Sequence, residues 1–122
     1  MSAFLRKRIG SFRNAARGVN HLIRTEVHAK IHLVCSAAVV GFAVFFSISV
    51  EEWCLVILSA GLVWAAEAVN AAIERVVDLA SPGHDSIAGQ AKDLAAGAVL
   101  LAAFAAAAVG LFVFMPRIAI FL

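Results

Sequence analysis

Three long runs of residues without a charge constrain the fold of this chain more than any other feature. The first and third runs, residues 33–50 and 94–115, contain 18 and 22 residues. An α-helix needs about 20 apolar residues to cross a bilayer. The second run covers residues 53–66 and leads into a polar stretch. We therefore predict an all-α integral membrane protein with three transmembrane helices.

The alternative is a soluble bundle of buried helices. It would require charged faces on those helices, and the first and third uncharged runs have none. Hydrophobic residues make up 63% of the chain, well above the usual figure of about 45–50% for soluble domains. The length fits one domain, residues 1–122. Its predicted helices are 4–24, 32–50, 53–79 and 86–115, with a tight turn at Glu51, Glu52 and Trp53.

Residues 4–24 repeat apolar side chains with helical period, and basic side chains fill much of the remainder. This pattern predicts a basic amphipathic helix that lies in the membrane interface, although the charges could serve only to orient the chain. Nucleic-acid binding is disfavoured, because the basic face directly precedes a membrane span. Seven of the ten Lys and Arg residues lie before that span, so the N-terminus and residues 67–93 should face the cytoplasm.

Glu26 is the first acid of the chain, and two histidines follow it at positions 28 and 32. It follows a strongly basic stretch, and taken alone Glu26 reads as a surface ion-pair partner rather than a ligand. The spacing of His28 and His32 would suit a metal, but no HExxH pattern accompanies them. We interpret both as interfacial histidines at the mouth of the first span.

Glu67, Asn70, Glu74 and Asp78 form an acidic stripe at the end of the second span. Their spacing places them within an arc of roughly 80° on a helix. An acid inside an apolar span costs about 2.5–3.5 kcal/mol on insertion scales. The stripe therefore requires compensation by a metal, a basic partner or protonation.

These polar residues suit phosphoryl transfer to an alcohol. Magnesium prefers oxygen ligands, and the candidates are Glu26, Glu74 and Asp78. Glu67 is the deepest acid, and an apolar setting disfavours the charged form of a carboxylate. That setting suits a base that takes a proton from an alcohol. Asn70, one turn further, can orient this base or bind the substrate oxygen.

Lys92 and Asp93 complete the set, with Lys92 as a positive charge for phosphate. The chain has no GxxxxGK[ST] or GxGxxG loop and none of the HRD and DFG motifs of protein kinases, so a kinase activity would need another fold. The residue pattern alone leaves two other readings open. The stripe could be a structural polar seam between helices, or a path for ions or protons.

The polar motifs resemble those of the small, three-span prokaryotic diacylglycerol kinases and their undecaprenol kinase branch. The likeness covers about residues 11–117 without obvious gaps. The motifs that carry it are Glu67-x2-Asn70-x-Ala72-Ile73-Glu74-x2-Val77-Asp78 and Ala91-Lys92-Asp93-x-Ala95-Ala96-Gly97-Ala98-Val99, with Arg17-Gly18, Arg24-Thr25-Glu26, Ile31-His32 and Glu52-Trp53 upstream.

The resemblance implies a homotrimer in the cytoplasmic membrane of a prokaryote, with an active site between neighbouring chains on the cytoplasmic side. It implies that a lipid hydroxyl receives the γ-phosphate of ATP with Mg²⁺. By motif position, Glu67 is the catalytic base, and Glu67 and Asn70 contact the lipid substrate. The nucleotide-binding positions are Asn14, Glu26, Glu74, Lys92 and Asp93, of which Glu26 and Glu74 also bind the metal.

Two stretches depart from the family pattern. Asn14 stands where members often have an aromatic residue or His, and the loop before the third span reads Gly83-His84-Asp85 rather than a Glu-Tyr-His trio. Both departures bear on the adenine and ribose contacts.

The chain resembles the undecaprenol kinase branch more than the diacylglycerol kinases in three places: residues 95–98, the Arg-Thr-Glu motif, and the tail from Gly110 to Arg117. Undecaprenol is therefore the expected substrate, and diacylglycerol is the alternative. A non-enzymatic channel or scaffold is disfavoured, because the polar residues gather at one membrane face.

Overall fold

The computed structural model describes residues 2–122, and this part of the chain is helical and contains no strand. The helices α2, α3 and α4 are long and apolar enough to cross a membrane. The all-α class and the three candidate spans are therefore confirmed. The helices are α1 (Ala3–Thr25), α2 (Val27–Phe45), α3 (Val50–Ala80) and α4 (Ser86–Ile118), followed by a 3-10 turn (Ala119–Phe121).

Helix α3 is the centre of the structure, because α1, α2 and α4 all pack against it and α4 does so along much of its length. Buried side chains form two clusters, one toward each end of the spans. The cluster near the start of α3 contains Ala43, Ile48, Val56, Val113 and Phe114, and the other contains Leu22, Ala29 and Ala71.

Most large apolar side chains on the spans remain exposed in the single chain. Leu58 of α3 and Leu101 and Phe112 of α4 are 71%, 72% and 82% exposed. Apolar surfaces of this kind are expected to contact lipid or other helices, because both contacts remove the surface from water. The single chain therefore has a small core and a largely apolar exterior.

The predicted turn at Glu51, Glu52 and Trp53 is wrong, and these residues lie in the first turn of α3. Ser49 caps this helix: its hydroxyl accepts a hydrogen bond from the Glu52 amide at 3.3 Å, and its own amide donates to Glu52 Oε2 at 2.8 Å. This capping box satisfies two otherwise unpaired amides. The turn consequently lies earlier, at residues 46–49, and α2 ends at Phe45 rather than at residue 50.

An ion pair joins the end of α4 to the beginning of α3. Arg117 donates from Nη1 to Glu52 Oε1 at 2.8 Å and from Nη2 to Glu52 Oε2 at 2.7 Å. Such a bidentate contact restricts the relative orientation of the two side chains more than a single hydrogen bond does. At the other end of the spans, Asp85 caps α4 by accepting a hydrogen bond from the Ala88 amide at 2.8 Å.

Replacing Ser49 with alanine is expected to lower the free energy of unfolding by about 1 kcal/mol, because the α3 cap is lost. The measurement is denaturation of the purified protein in detergent micelles. Ser11→Ala is the matched control, since the Ser11 hydroxyl donates to the Lys7 carbonyl within its own helix. Equal stability of the Ser49→Ala and wild-type proteins would contradict the role assigned to the cap.

Candidate active site

Glu67 is buried, with 4% of its surface exposed, and it lies on α3. Its Oε1 atom is 3.1 Å from Nε2 of His32, which comes from the neighbouring helix α2. A buried carboxylate needs such a partner, since leaving it without a hydrogen bond is costly. The partner of the predicted base is therefore a histidine that sequence reasoning placed only at the membrane interface.

Asn70 and Glu74 contact each other one turn further along α3. The side-chain nitrogen of Asn70 donates to Glu74 Oε1 at 3.2 Å. The amide oxygen of Asn70 is buried and accepts no hydrogen bond from any described residue. An unpaired buried acceptor next to a carboxylate can accept a hydrogen bond from a bound molecule, or can bind a cation, that the described residues do not supply.

Glu26 lies at the junction of α1 and α2 and contacts α3 through Arg75. Arg75 Nη2 donates to Glu26 Oε1 at 2.8 Å and to Thr25 Oγ1 at 3.2 Å, and it lies 3.3 Å from His21 Nε2. Since Arg75 follows Glu74 in sequence, this ion pair places the junction beside the acidic stripe. The pairing of Glu26 with a basic side chain is confirmed, and its partner lies on α3.

Lys92 joins α4 to the end of the acidic stripe, donating from Nζ to Asp78 Oδ1 at 2.9 Å. The Lys92 side chain is still 40% exposed. Asp93 is exposed next to it. Asn14 is exposed on α1 and makes no side-chain hydrogen bond to the described part of the chain. Within residues 2–122, neither Asn14 nor Asp93 is therefore fixed by a polar partner.

Two of these contacts join candidate residues to each other, Asn70 to Glu74 and Lys92 to Asp78. Glu67 and Glu26 instead contact His32 and Arg75, which were not predicted site residues. Within residues 2–122, no three His, Cys, Asp or Glu side chains come close enough together to hold a metal ion. Magnesium is usually bound by one or two carboxylates plus phosphate oxygens. The pairs are compatible with that requirement, since phosphate would supply the remaining ligands.

A cavity of about 300 Å³ extends from His32 between α2, α3 and α4 toward Trp53. Its walls are mainly apolar. A hydrogen bond of 3.1 Å from the Trp64 indole nitrogen to Ser36 Oγ crosses one side of it. Apolar cavities with a few polar groups are typical ligand sites. The polar end of this cavity reaches the histidine that holds Glu67.

The family model for prokaryotic diacylglycerol kinase matches residues 13–114. One relative is the undecaprenol kinase of Bacillus subtilis (strain 168), which is 36% identical over 108 residues, or 88% of each chain. Another is the diacylglycerol kinase of Synechocystis sp. (strain ATCC 27184 / PCC 6803 / Kazusa), which is 38% identical over 107 residues. That alignment covers 87% of this chain and 61% of the relative, so the chain spans about three fifths of that relative's length.

The Ser36–Trp64 hydrogen bond is expected to stabilise the packing of α2 on α3. Ser36→Ala should lower the free energy of unfolding by about 1 kcal/mol, because the indole N–H loses its partner. Denaturation in micelles measures the change. In a Trp64→Phe background the same substitution should have little effect, since the donor is already absent.

Ser59→Ala is the matched control, because Ser59 lines the same cavity but its hydroxyl donates to the Val56 carbonyl within its own helix. Its effect should stay within about 0.5 kcal/mol. Equal losses for the Ser36 and Ser59 variants would show that the cross-helix bond contributes nothing specific.

Proposed function

Because the chain belongs to the prokaryotic diacylglycerol kinase family and is a lipid kinase, we propose that it transfers the γ-phosphate of ATP to a membrane lipid alcohol, with undecaprenol as its main substrate. The observation that carries this proposal is the buried Glu67, whose hydrogen-bond partner His32 lines an apolar cavity. A carboxylate in that position can receive the proton of a hydroxyl group whose hydrocarbon part remains in an apolar environment.

The proposed reaction is a direct transfer. The lipid hydroxyl gives its proton to Glu67, and the oxygen uses an electron pair to form a bond to the γ-phosphorus of ATP. The bond between that phosphorus and the bridging oxygen breaks, and its electron pair leaves on ADP. The lipid phosphate forms, and the proton passes from Glu67 to solvent.

The side chains at the end of α3 suit a magnesium nucleotide. Glu74 and Glu26 offer carboxylate oxygens, and the buried, unpaired oxygen of Asn70 adds an acceptor beside Glu74, in line with the preference of Mg²⁺ for oxygen ligands. When bound, the metal would neutralise charge on the transferring phosphate. Lys92, a partly exposed cation, is the proposed contact for the phosphates, and Asn14 and Asp93 are proposed as further nucleotide contacts.

The proposed location is the cytoplasmic membrane of a prokaryote, with the site on the cytoplasmic side. The distribution of Lys and Arg supports this orientation, since most of them precede α2. Helix α1 would lie along the surface of the membrane, with apolar side chains such as Phe4, Phe12 and Val19 toward the lipid. These three side chains are 65%, 83% and 54% exposed in the single chain, which leaves them available for that contact.

A homotrimer is the proposed assembly, with the site completed between neighbouring chains. Two features support an oligomer. The spans leave large apolar side chains exposed, and small residues along α4 permit close approach of another helix. The small residues of α4 include Ala95, Ala96, Gly97, Ala98, Ala102, Ala103 and residues 105–108.

Diacylglycerol is the alternative lipid substrate, and a channel or scaffold is the alternative from another class. The choice of undecaprenol rests on the relative that matches along 88% of both chains. A pore is disfavoured because the acidic stripe and Lys92 gather at one end of α3 and α4, whereas a conducting path needs polar groups along the length of a span.

Purified protein in mixed micelles should release ADP when ATP, Mg²⁺ and undecaprenol are supplied together, and more slowly with diacylglycerol. Glu67→Gln should lower kcat by about 10²–10⁴-fold, because the proton acceptor is lost. Glu51→Gln is the matched control on the same helix, since Glu51 is exposed at the opposite end of α3. Full activity of Glu67→Gln would refute its role as the base, and absence of turnover with both lipids would refute the kinase proposal.

Glu74→Gln and Glu26→Gln should each raise the Mg²⁺ concentration that gives half-maximal activity. A rise of about tenfold corresponds to a loss of about 1.4 kcal/mol in binding free energy. The measurement is a Mg²⁺ titration at saturating ATP, with Glu51→Gln again as the control. An unchanged titration in either variant would remove that carboxylate from the set of metal ligands.

A further inference from the structure

We propose that His32 is the positioning residue of the base: its Nε2 atom holds Glu67 Oε1, so that Oε2 is left to receive the proton of the lipid hydroxyl. This inference rests on the proposed kinase function and adds a residue to it. His32 comes from α2 and makes the one side-chain hydrogen bond to Glu67 among residues 2–122.

The burial of Glu67 explains why the base needs this contact. Its side chain is only 5% exposed, so water cannot supply the hydrogen bonds that an exposed carboxylate would have. A hydrogen bond to a buried anion stabilises the charged form and restricts the rotation of the carboxylate. Without His32, the carboxylate would lose its fixed orientation and its main polar partner.

His32 also links the base to the apolar cavity. Its side chain lines the end of the cavity nearest Glu67 and remains 22% exposed. A lipid whose hydrocarbon chain occupies the cavity would bring its hydroxyl to this end. The substrate would therefore meet a carboxylate that is already oriented, which is the condition for an efficient proton transfer.

The positioning role requires a donor at Nε2 and does not require the imidazole to change its charge. A neutral histidine with its proton on Nε2 already donates to a carboxylate. The side-chain amide of glutamine can place an N–H group near the same position. Glutamine should therefore replace His32 if it orients Glu67, and should fail if the imidazole itself transfers a proton.

The experiment compares His32→Gln with His32→Leu in the ADP-release assay, using the folded protein in mixed micelles. His32→Leu should lower kcat by about 10²-fold, the effect of a misplaced reacting group, while KM for ATP stays the same. His32→Gln should retain most of the wild-type kcat. Thermal unfolding of each variant, recorded in the same micelles, separates a loss of activity from a loss of fold.

His28→Leu is the matched control, since His28 lies one turn earlier on α2, is exposed and makes no side-chain hydrogen bond to the described residues. It should keep the wild-type kcat. If His32→Leu does not fold, His32→Asn takes its place, because its shorter amide does not reach Glu67 and should lower kcat where glutamine does not.

The inference is overturned if removal of the donor leaves kcat unchanged, or if His32→Gln folds and is as inactive as the variant that lacks the donor. These outcomes differ from failure of the proposed function itself. An inactive wild-type protein would refute the kinase proposal, whereas an active wild type with fully active His32 variants would refute only the role of His32.

Discussion

The burial of one carboxylate inside a long apolar helix is the constraint on which the arrangement of the other helices depends. Glu67 cannot remain there without a polar partner, so α2 must present His32 to α3 at that level. The same helix then leaves the apolar layer and meets the other elements through charged pairs. Arg75 contacts the junction of α1 and α2 at Glu26, and Lys92 connects α4 to Asp78. Each neighbouring element thus contacts α3 through a polar residue as well as through packing.

The ion pairs at both ends of α3 define geometry more than they supply stability. The Arg75–Glu26 and Lys92–Asp78 pairs are partly exposed, and exposed pairs contribute only about 0–1 kcal/mol. The Arg117–Glu52 pair lies at the opposite end of the spans, next to the α3 cap. Ion pairs therefore lie at both ends of the spans, and apolar packing holds the helices together between them. This division permits the site to contain accessible charges without weakening the core.

The helical class followed from the uncharged runs, because a backbone in lipid must satisfy its hydrogen bonds within each segment. The position of the turn before α3 was not predicted correctly, since Glu51 and Glu52 resembled a polar loop. In the structure Ser49 and Glu52 form a capping box, which places both glutamates in the first turn of the helix. The acidic stripe followed from spacing along one helix. The partners of two predicted site residues were missed, His32 for Glu67 and Arg75 for Glu26. Contacts between helices depend on the rotation of each helix about its axis, which spacing along a single helix does not give.

The polar side chains of the site and the apolar walls of the cavity would contact different parts of a lipid substrate. Glu67, Glu74 and Lys92 would act on a hydroxyl and on phosphates, which any lipid alcohol and ATP provide. The hydrocarbon part would be distinguished only in the cavity, where one methylene is worth about 1–3 kcal/mol. Selectivity for one tail over another must therefore be the sum of many small contacts with walls such as Val56 and Val109. On this basis, changes in the cavity would alter the preferred lipid without changing the reaction.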